Sequence, residues 1–180
     1  RDFPSLGREV NGRPLAYLDG PAGTQVPQRV IEAVADYYRT SNANTHGAFV
    51  TSGESDEVIH GAREAVAAFL GAPSWREISF GANMTTLNFS LSQALAREIN
   101  PGEEIAITEL DHEANRGPWL ALRERGIVVR EVALRRDGTL DPEDLRRKIT
   151  DRTRLVAVGY ASNALGTVND VPLIRELSRE

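Results

Sequence analysis

A chain of 180 residues, 41% hydrophobic and 26% charged, can bury a sizeable core and reads as one domain or a large piece of one. Its net charge of −5, with arginines scattered among acids, leaves no basic stripe to neutralise a nucleic-acid backbone or an anionic membrane surface. The absence of cysteine excludes a disulfide framework or a thiolate metal site made from these residues, and a cytoplasmic location is the expectation. No run approaches a membrane span, Arg1-Asp2-Phe3-Pro4 carries no signal-peptide stretch, and the missing initiator methionine points to trimming.

Leu15-Ala16-Tyr17-Leu18 reads as a short strand released at the turn-rich Asp19-Gly20-Pro21-Ala22-Gly23. A helix should begin near Pro27, since Val30, Ile31, Val34 and Tyr38 recur at helical spacing. A long polar loop follows from Asn42 to Ser52. A second helix is expected from Ser55 to Leu70, with Gly71 as its stop. The pattern then alternates: strand Glu77 to Phe80, helix Thr85 to Ile99, strand Glu104 to Thr108, helix Ala114 to Arg125 and strand Ile127 to Leu134. Asp141-Pro142-Glu143-Asp144 opens a helix with a capping aspartate, a proline at the first position and acids at the positive end of the dipole. Leu155 to Tyr160 is another apolar strand, and Val171 to Glu180 begins one more helix. This alternation predicts an α/β fold, a mostly parallel sheet with helices on both faces. Glu180 falls inside a helical pattern with no stop signal, so the domain is expected to be cut there.

Ligands of open α/β sheets gather at the carboxyl ends of strands, which directs attention to the loops after Phe80, Thr108 and Tyr160. Gly81-Ala82-Asn83-Met84-Thr85-Thr86 is a small-residue turn into a helix, suited either to a phosphate or simply to capping by Asn83 and Thr85. In Glu109-Leu110-Asp111-His112-Glu113-Ala114-Asn115, His112 can stack on a flat cofactor, carry a proton or hydrogen-bond locally. In Ala161-Ser162-Asn163-Ala164-Leu165-Gly166, Asn163 can bond a ring substituent or hold a turn.

Taken in order, these loops resemble those of class V aminotransferase-like enzymes of pyridoxal phosphate fold type I, the group with cysteine desulfurases, kynureninases and related lyases. The likeness to the cysteine desulfurase-like subgroup rests on Tyr17-Leu18-Asp19-Gly20-Pro21, Asn42-Ala43-Asn44-Thr45-His46-Gly47, Phe80-Gly81-Ala82-Asn83-Met84-Thr85 and Leu110-Asp111-His112-Glu113-Ala114-Asn115, and spans nearly the whole chain. It implies that the fold is part of the large domain of such an enzyme and that the cofactor is pyridoxal 5'-phosphate. Asn83, Met84 and Thr85 would hold the phosphate, His112 would stack on the pyridine ring as the catalytic histidine, and Asn163 would lie beside the ring oxygen or the substrate carboxylate. Asn44 and His46 would lie near the substrate entrance. Many relatives carry a threonine where Met84 stands; here Met84 offers only its backbone amide, and Thr85 or Asn83 must compensate. On this division residues 1–50 form an N-terminal segment with the entrance loop and residues 51–180 a partial cofactor-binding domain.

The resemblance also implies a Schiff-base lysine and a ring-pairing aspartate, expected beyond Glu180 together with any catalytic cysteine. Lys148 is the only lysine; with Leu145 and Ile149 facing inward, it is expected to point to solvent. Glu103 and Glu104 read as a solvated strand entrance, His60 as a surface or core residue, and Trp75 and Trp119 as packing residues. No metal-ligand spacing of His, Asp and Glu emerges. The expected function is that of an amino-acid-processing pyridoxal phosphate enzyme, a homodimer with no nucleic-acid or membrane partner. The alternatives are an inactive homologue serving as a scaffold and a Rossmann-like nucleotide-binding domain. The latter lacks its Gly-x-Gly-x-x-Gly turn after the first strand.

Overall fold

The structure is a computed structural model that describes residues 2–179; Arg1 and Glu180, where the last helical pattern breaks off, lie outside the described residues. Contacts divide the chain into two compact units, one up to Phe80 and one from Gly81 onward.

The first unit opens with a two-residue hairpin, β1 (Glu9–Val10) and β2 (Arg13–Pro14), paired antiparallel. Asn11 and Gly12 turn it with φ of 53° and 72°. Positive φ at both central residues is what a tight hairpin turn requires, and Asn-Gly supplies it at least steric cost. That dipeptide was the signal for this hairpin in the sequence. The strand expected at Leu15 to Leu18 does not form: Leu18 is 92% exposed, with no ladder partner to hold it. Helix α1 (Gln28–Thr40) starts after Pro27 as its spacing predicts. Its apolar stripe of Val30, Ile31, Val34 and Tyr38 remains exposed.

Helix α2 (Val50–Leu70) begins five residues before the expected Ser55. Ser52 and Ser55 look like loop residues by composition, yet both are buried in its first turns. Burial of a hydroxyl is tolerated when it is hydrogen-bonded. Ser55 Oγ donates to the Thr51 carbonyl and lies 3.0 Å from the Tyr37 hydroxyl, while Ser52 Oγ accepts from the Gly47 amide at 2.6 Å. Gly71 ends α2 in the left-handed conformation, φ 70°, as expected of a glycine stop. The segment Glu77 to Phe80 is not a strand: Trp75–Glu77 is a 3-10 turn, and among the described residues nothing pairs with Ile78 to Phe80. An extended run becomes a strand only where a neighbour accepts its ladder bonds.

The second unit is built on a parallel sheet in the order β4-β3-β5, made of β3 (Glu104–Thr108), β4 (Val128–Val132) and β5 (Thr153–Val156). All five residues of the central strand are buried, which explains its near-continuous apolar sequence. Alternation splits the core into two clusters. Ile105, Ile107, Val129 and Ala157 pack with Trp119 and Leu122 of the α4 region; Val132, Val156 and Val158 pack with Leu145, Ile174 and Leu177. Full burial of side chains such as Ile105, Ile107, Leu122 and Leu145 contributes about 1.5–3 kcal/mol each before ordering costs. Helices α3 (Met84–Leu95), α4 (Glu113–Leu120), α5 (Pro142–Lys148) and α6 (Val171–Leu177) complete the unit. Asp141 caps α5 by accepting from the Glu143 and Asp144 amides, as its sequence announces.

Two expectations about charge are corrected here. Glu104 is fully buried rather than solvated: Arg130 grips it through two bonds of 2.6 and 2.7 Å, and Arg152 Nη2 and Thr150 Oγ1 complete its shell. The Arg130 hydrogen bond, opposed by burial and aided by Thr150 and Arg152, holds its pKa down to about 2. Lys148 does not extend into solvent either. It pairs with Asp144 at 3.0 Å and donates to the Glu131 carbonyl, because the α5 face that carries Leu145 also brings Asp144 against β4.

Candidate functional site

The strand order β4-β3-β5 places a reversal between β3 and β5: the chain leaves β3 toward β4 and returns across it to β5. At such a reversal the loops at the carboxyl ends diverge and open a crevice. The loop after β3 carries His112 and the loop after β5 carries Asn163, both from the second unit.

His112 is the N-cap of α4, and its Nδ1 accepts from the Ala114 amide at 3.0 Å. That bond fixes the ring's orientation and, for the neutral imidazole, puts the proton on Nε2. The residue is otherwise exposed, so the flat faces of its ring are available to a ligand. Asp111 Oδ2 accepts from the Thr108 hydroxyl at 2.7 Å, and Oδ1 accepts from the Gly159 amide, so the carboxylate spans the ends of β3 and β5.

The third loop enters through α3. Asn83 is its N-cap, accepting from the Thr86 amide at 2.9 Å. Met84 and Thr85 occupy the first two helical positions, whose amides have no intrahelical acceptor. Capping by Asn83 and binding an anion are therefore compatible: the Asn83 oxygen serves Thr86, while its Nδ2, the Met84 and Thr85 amides and the Thr85 hydroxyl remain to donate. The α3 and α4 amino-terminal turns are tied together by a substitution of one donor for another. Pro118 inside α4 has no N–H to offer the Ala114 carbonyl, and Asn88 of α3 donates to that carbonyl instead, at 3.0 Å. Trp119, buried in the core, donates from Nε1 to Asn115 at 3.4 Å and so steadies the same turn.

Asn163 projects from a tight loop. Ser162 Oγ accepts from the Ala164 and Leu165 amides, the Ser162 carbonyl accepts from Gly166, and Gly166 adopts φ 74°. The Asn163 side chain is exposed, not used to hold that turn. Asn169, 8% exposed, donates to the Gly159 carbonyl at 2.7 Å and anchors the loop's return to β5.

Asn83, Met84, Thr85, His112 and Asn163 all belong to the second unit. Asn44 and His46 belong to the first unit. There His46 has φ 62°; its amide donates to Asp56 Oδ2 at 3.0 Å, and its Nδ1 lies 3.2 Å from Asp56 Oδ1. Asn44 is exposed. Among the described residues no cluster of histidine and carboxylates is placed to hold a metal, and no helix is long and apolar enough to cross a membrane. Two residues escaped the sequence reading, Asp111 and Asn88. Asp111 carried a visible signal, a carboxylate immediately before the candidate histidine; Asn88 carried none.

The donor set at α3 consists of neutral amides, an amide side chain and a hydroxyl at the positive end of a helix dipole, which suits a phosphate group, and the exposed, oriented imidazole of His112 in the same unit suits a planar ring. An open α/β unit with both features is of the class that takes phosphorylated aromatic cofactors. Residues 16–180 match the sequence model of the family described as aminotransferase class-V. The chain belongs to that family, whose enzymes depend on pyridoxal phosphate. It is 44% identical over 173 residues to a cysteine desulfurase of Pectobacterium carotovorum, covering 94% of this chain and 42% of that protein. It is 39% identical over 179 residues to a probable cysteine desulfurase of Halalkalibacterium halodurans, covering 98% and 44%. Among solved structures it superposes on the apo cysteine desulfurase of Thermococcus onnurineus with a TM-score of 0.83 at 29% identity, over 92% of this chain and 41% of that one. An Escherichia coli cysteine desulfurase gives 0.82 at 29% identity, over 99% and 44%. The chain therefore spans less than half the length of the relatives it matches.

Proposed function

We propose that this chain is part of a pyridoxal phosphate enzyme that removes sulfur from cysteine. What supports the reading is the free amino end of α3, the oriented His112 ring and the exposed Asn163, all carried by the second unit of a chain of the aminotransferase class-V family; the similarity to cysteine desulfurases selects the reaction. Asn83, Met84 and Thr85 hold the cofactor phosphate through amide and hydroxyl donors. His112, oriented by the Ala114 amide, lies against the pyridine ring and can donate from Nε2. Asn163 donates from its amide to the ring oxygen or to the substrate carboxylate. Asn44 and His46 are assigned to the substrate entrance by the family resemblance alone; within the first unit, the bond from the His46 amide to Asp56 supports the left-handed His46 backbone, a conformation few residues adopt. The bound cofactor supplies an electron sink for the amino-acid carbon skeleton. Lys148, held by Asp144 and the Glu131 carbonyl, takes no part in the reaction.

The same reading makes the enzyme a cytoplasmic homodimer with no nucleic-acid partner; the exposed apolar stripe of α1 supports an association, as large apolar patches do. No observation favours an inactive scaffold or a nucleotide-binding domain. The test is the full-length protein with pyridoxal phosphate, cysteine and a thiol reductant: formation of alanine and sulfide in equal amounts supports the reading. A protein that binds the cofactor but converts another amino acid and leaves cysteine intact overturns the assigned substrate.

A further inference from the structure

The Asp111 carboxylate has a position that its neighbours in sequence do not explain. It follows the buried strand β3, and its two oxygens join that strand to the next: Oδ2 accepts from the hydroxyl of Thr108, the last residue of β3, at 2.7 Å, and Oδ1 from the amide of Gly159, beyond β5. The site is fitted to it. A Cβ on Gly159 would stand 2.6 Å from Asp111 Oδ1, so only glycine lets that amide approach. Asn169 then grips the Gly159 carbonyl at 2.7 Å and, through its own amide, the Tyr160 carbonyl. A continuous chain of bonds runs from the His112 loop to the Asn163 loop, and Asp111 is the link between them.

We propose that Asp111 is a positioning residue whose carboxylate, by joining Thr108 to Gly159, sets where the His112 ring stands relative to the Asn163 loop. It touches neither substrate nor cofactor and acts through His112. The inference rests on the pyridoxal phosphate reading for its consequence, while the link itself is a property of this chain alone. Asparagine can keep both bonds, accepting from Gly159 through Oδ1 and donating from Nδ2 to a reoriented Thr108 hydroxyl. Alanine keeps neither.

The test uses the full-length protein and its D111A, D111N, H112A and D111A/H112A variants. Pyridoxal phosphate affinity is measured by titration of the apoprotein. Hydrogen exchange without cofactor is followed in the peptides covering residues 111–116 and 158–163. D111A is expected to weaken cofactor binding on the order of 10-fold and to speed exchange in both peptides by a similar factor. D111N restores affinity to within about 3-fold, and D111A has no further effect on affinity once His112 is alanine. Equal weakening by D111A in the presence and absence of His112 overturns the proposal, as does D111N behaving like D111A, or unchanged exchange at residues 111–116. Should D111A fail to fold, Thr108→Val removes one of the two bonds and is expected to move the same readouts in the same direction. If the unmutated protein takes up no pyridoxal phosphate, the functional reading fails, and the exchange data still decide the role of Asp111.

Discussion

Replacing Glu104 with glutamine removes a charge that the fold has enclosed. The carboxylate is fully buried and receives four bonds from Arg130, Arg152 and Thr150. Its pKa falls from 4.5 to about 2, a difference worth roughly 3 kcal/mol by linkage at neutral pH. Arg130 and Arg152 are 35% and 65% exposed, so water recovers part of the loss and the expected destabilisation is about 2–3 kcal/mol. Because the folded pKa is depressed, this contribution is complete above about pH 4.5 and is lost as pH falls from there toward 2. The assay is urea unfolding of the full-length protein, at pH 7 and at steps down to pH 3, followed by hydrogen exchange in the peptide covering Glu104–Thr108. That strand holds Glu104 and, through Ile105 and Ile107, the core of this unit. A variant within about 0.5 kcal/mol of the parent at pH 7, or one that retains the parent's full acid sensitivity, refutes the argument.

The other perturbations follow from single contacts. His112→Ala should weaken pyridoxal phosphate binding about 10-fold, as expected for loss of a ring contact, and unchanged affinity and turnover in the titrated enzyme count against its role. Lys148→Ala should leave the cofactor's visible band and turnover intact while lowering stability by about 0.5–1.5 kcal/mol, since Arg147 and the Ala133 amide still serve the Asp144 carboxylate; loss of the band would place Lys148 in the cofactor site. Thr85→Val, which keeps the amide and removes the hydroxyl, should reduce cofactor affinity by roughly 3- to 10-fold with stability unchanged, and an unaffected titration would exclude the hydroxyl from the phosphate site. Gly71→Ala puts a Cβ at φ 70° and should lower the unfolding free energy by about 1 kcal/mol, measured by urea denaturation; no change would mean that the α2 terminus frays freely.

What the sequence made legible is what is decided locally. Helix α1 is set by its 3.6-residue apolar spacing, α5 by the Asp141-Pro142 cap, the end of α2 by Gly71, and β3 by a run of residues that only a doubly covered strand buries. Asn83 was legible as a helix cap and His112 as a residue at the mouth of a helix, although that His112 is itself an N-cap could be seen only once the Ala114 amide was placed. The failures share a cause. Ile78 to Phe80 and Leu15 to Leu18 have strand-like sequences, and pairing depends on a distant neighbour that no local pattern encodes. Glu104 and Lys148 read as surface charges because a charge is tolerated inside only by specific partners, and Arg130, Arg152 and, for Lys148, the Glu131 carbonyl come from other elements of the chain, whereas Asp144 lies one turn from Lys148 on the same helix. Ser52 and Ser55 misplaced the start of α2 for the same reason: their hydroxyls are satisfied by particular carbonyls and amides rather than by water.

The central claim is a pyridoxal phosphate site at the mouth of β3 and β5. The most direct measurement is the visible absorption spectrum of the full-length protein with the cofactor, followed by borohydride reduction and peptide mapping of the labelled residue. The account predicts a yellow band that reduction abolishes and a label on a lysine other than Lys148. Absence of the band and of any adduct, or a label on Lys148, contradicts it.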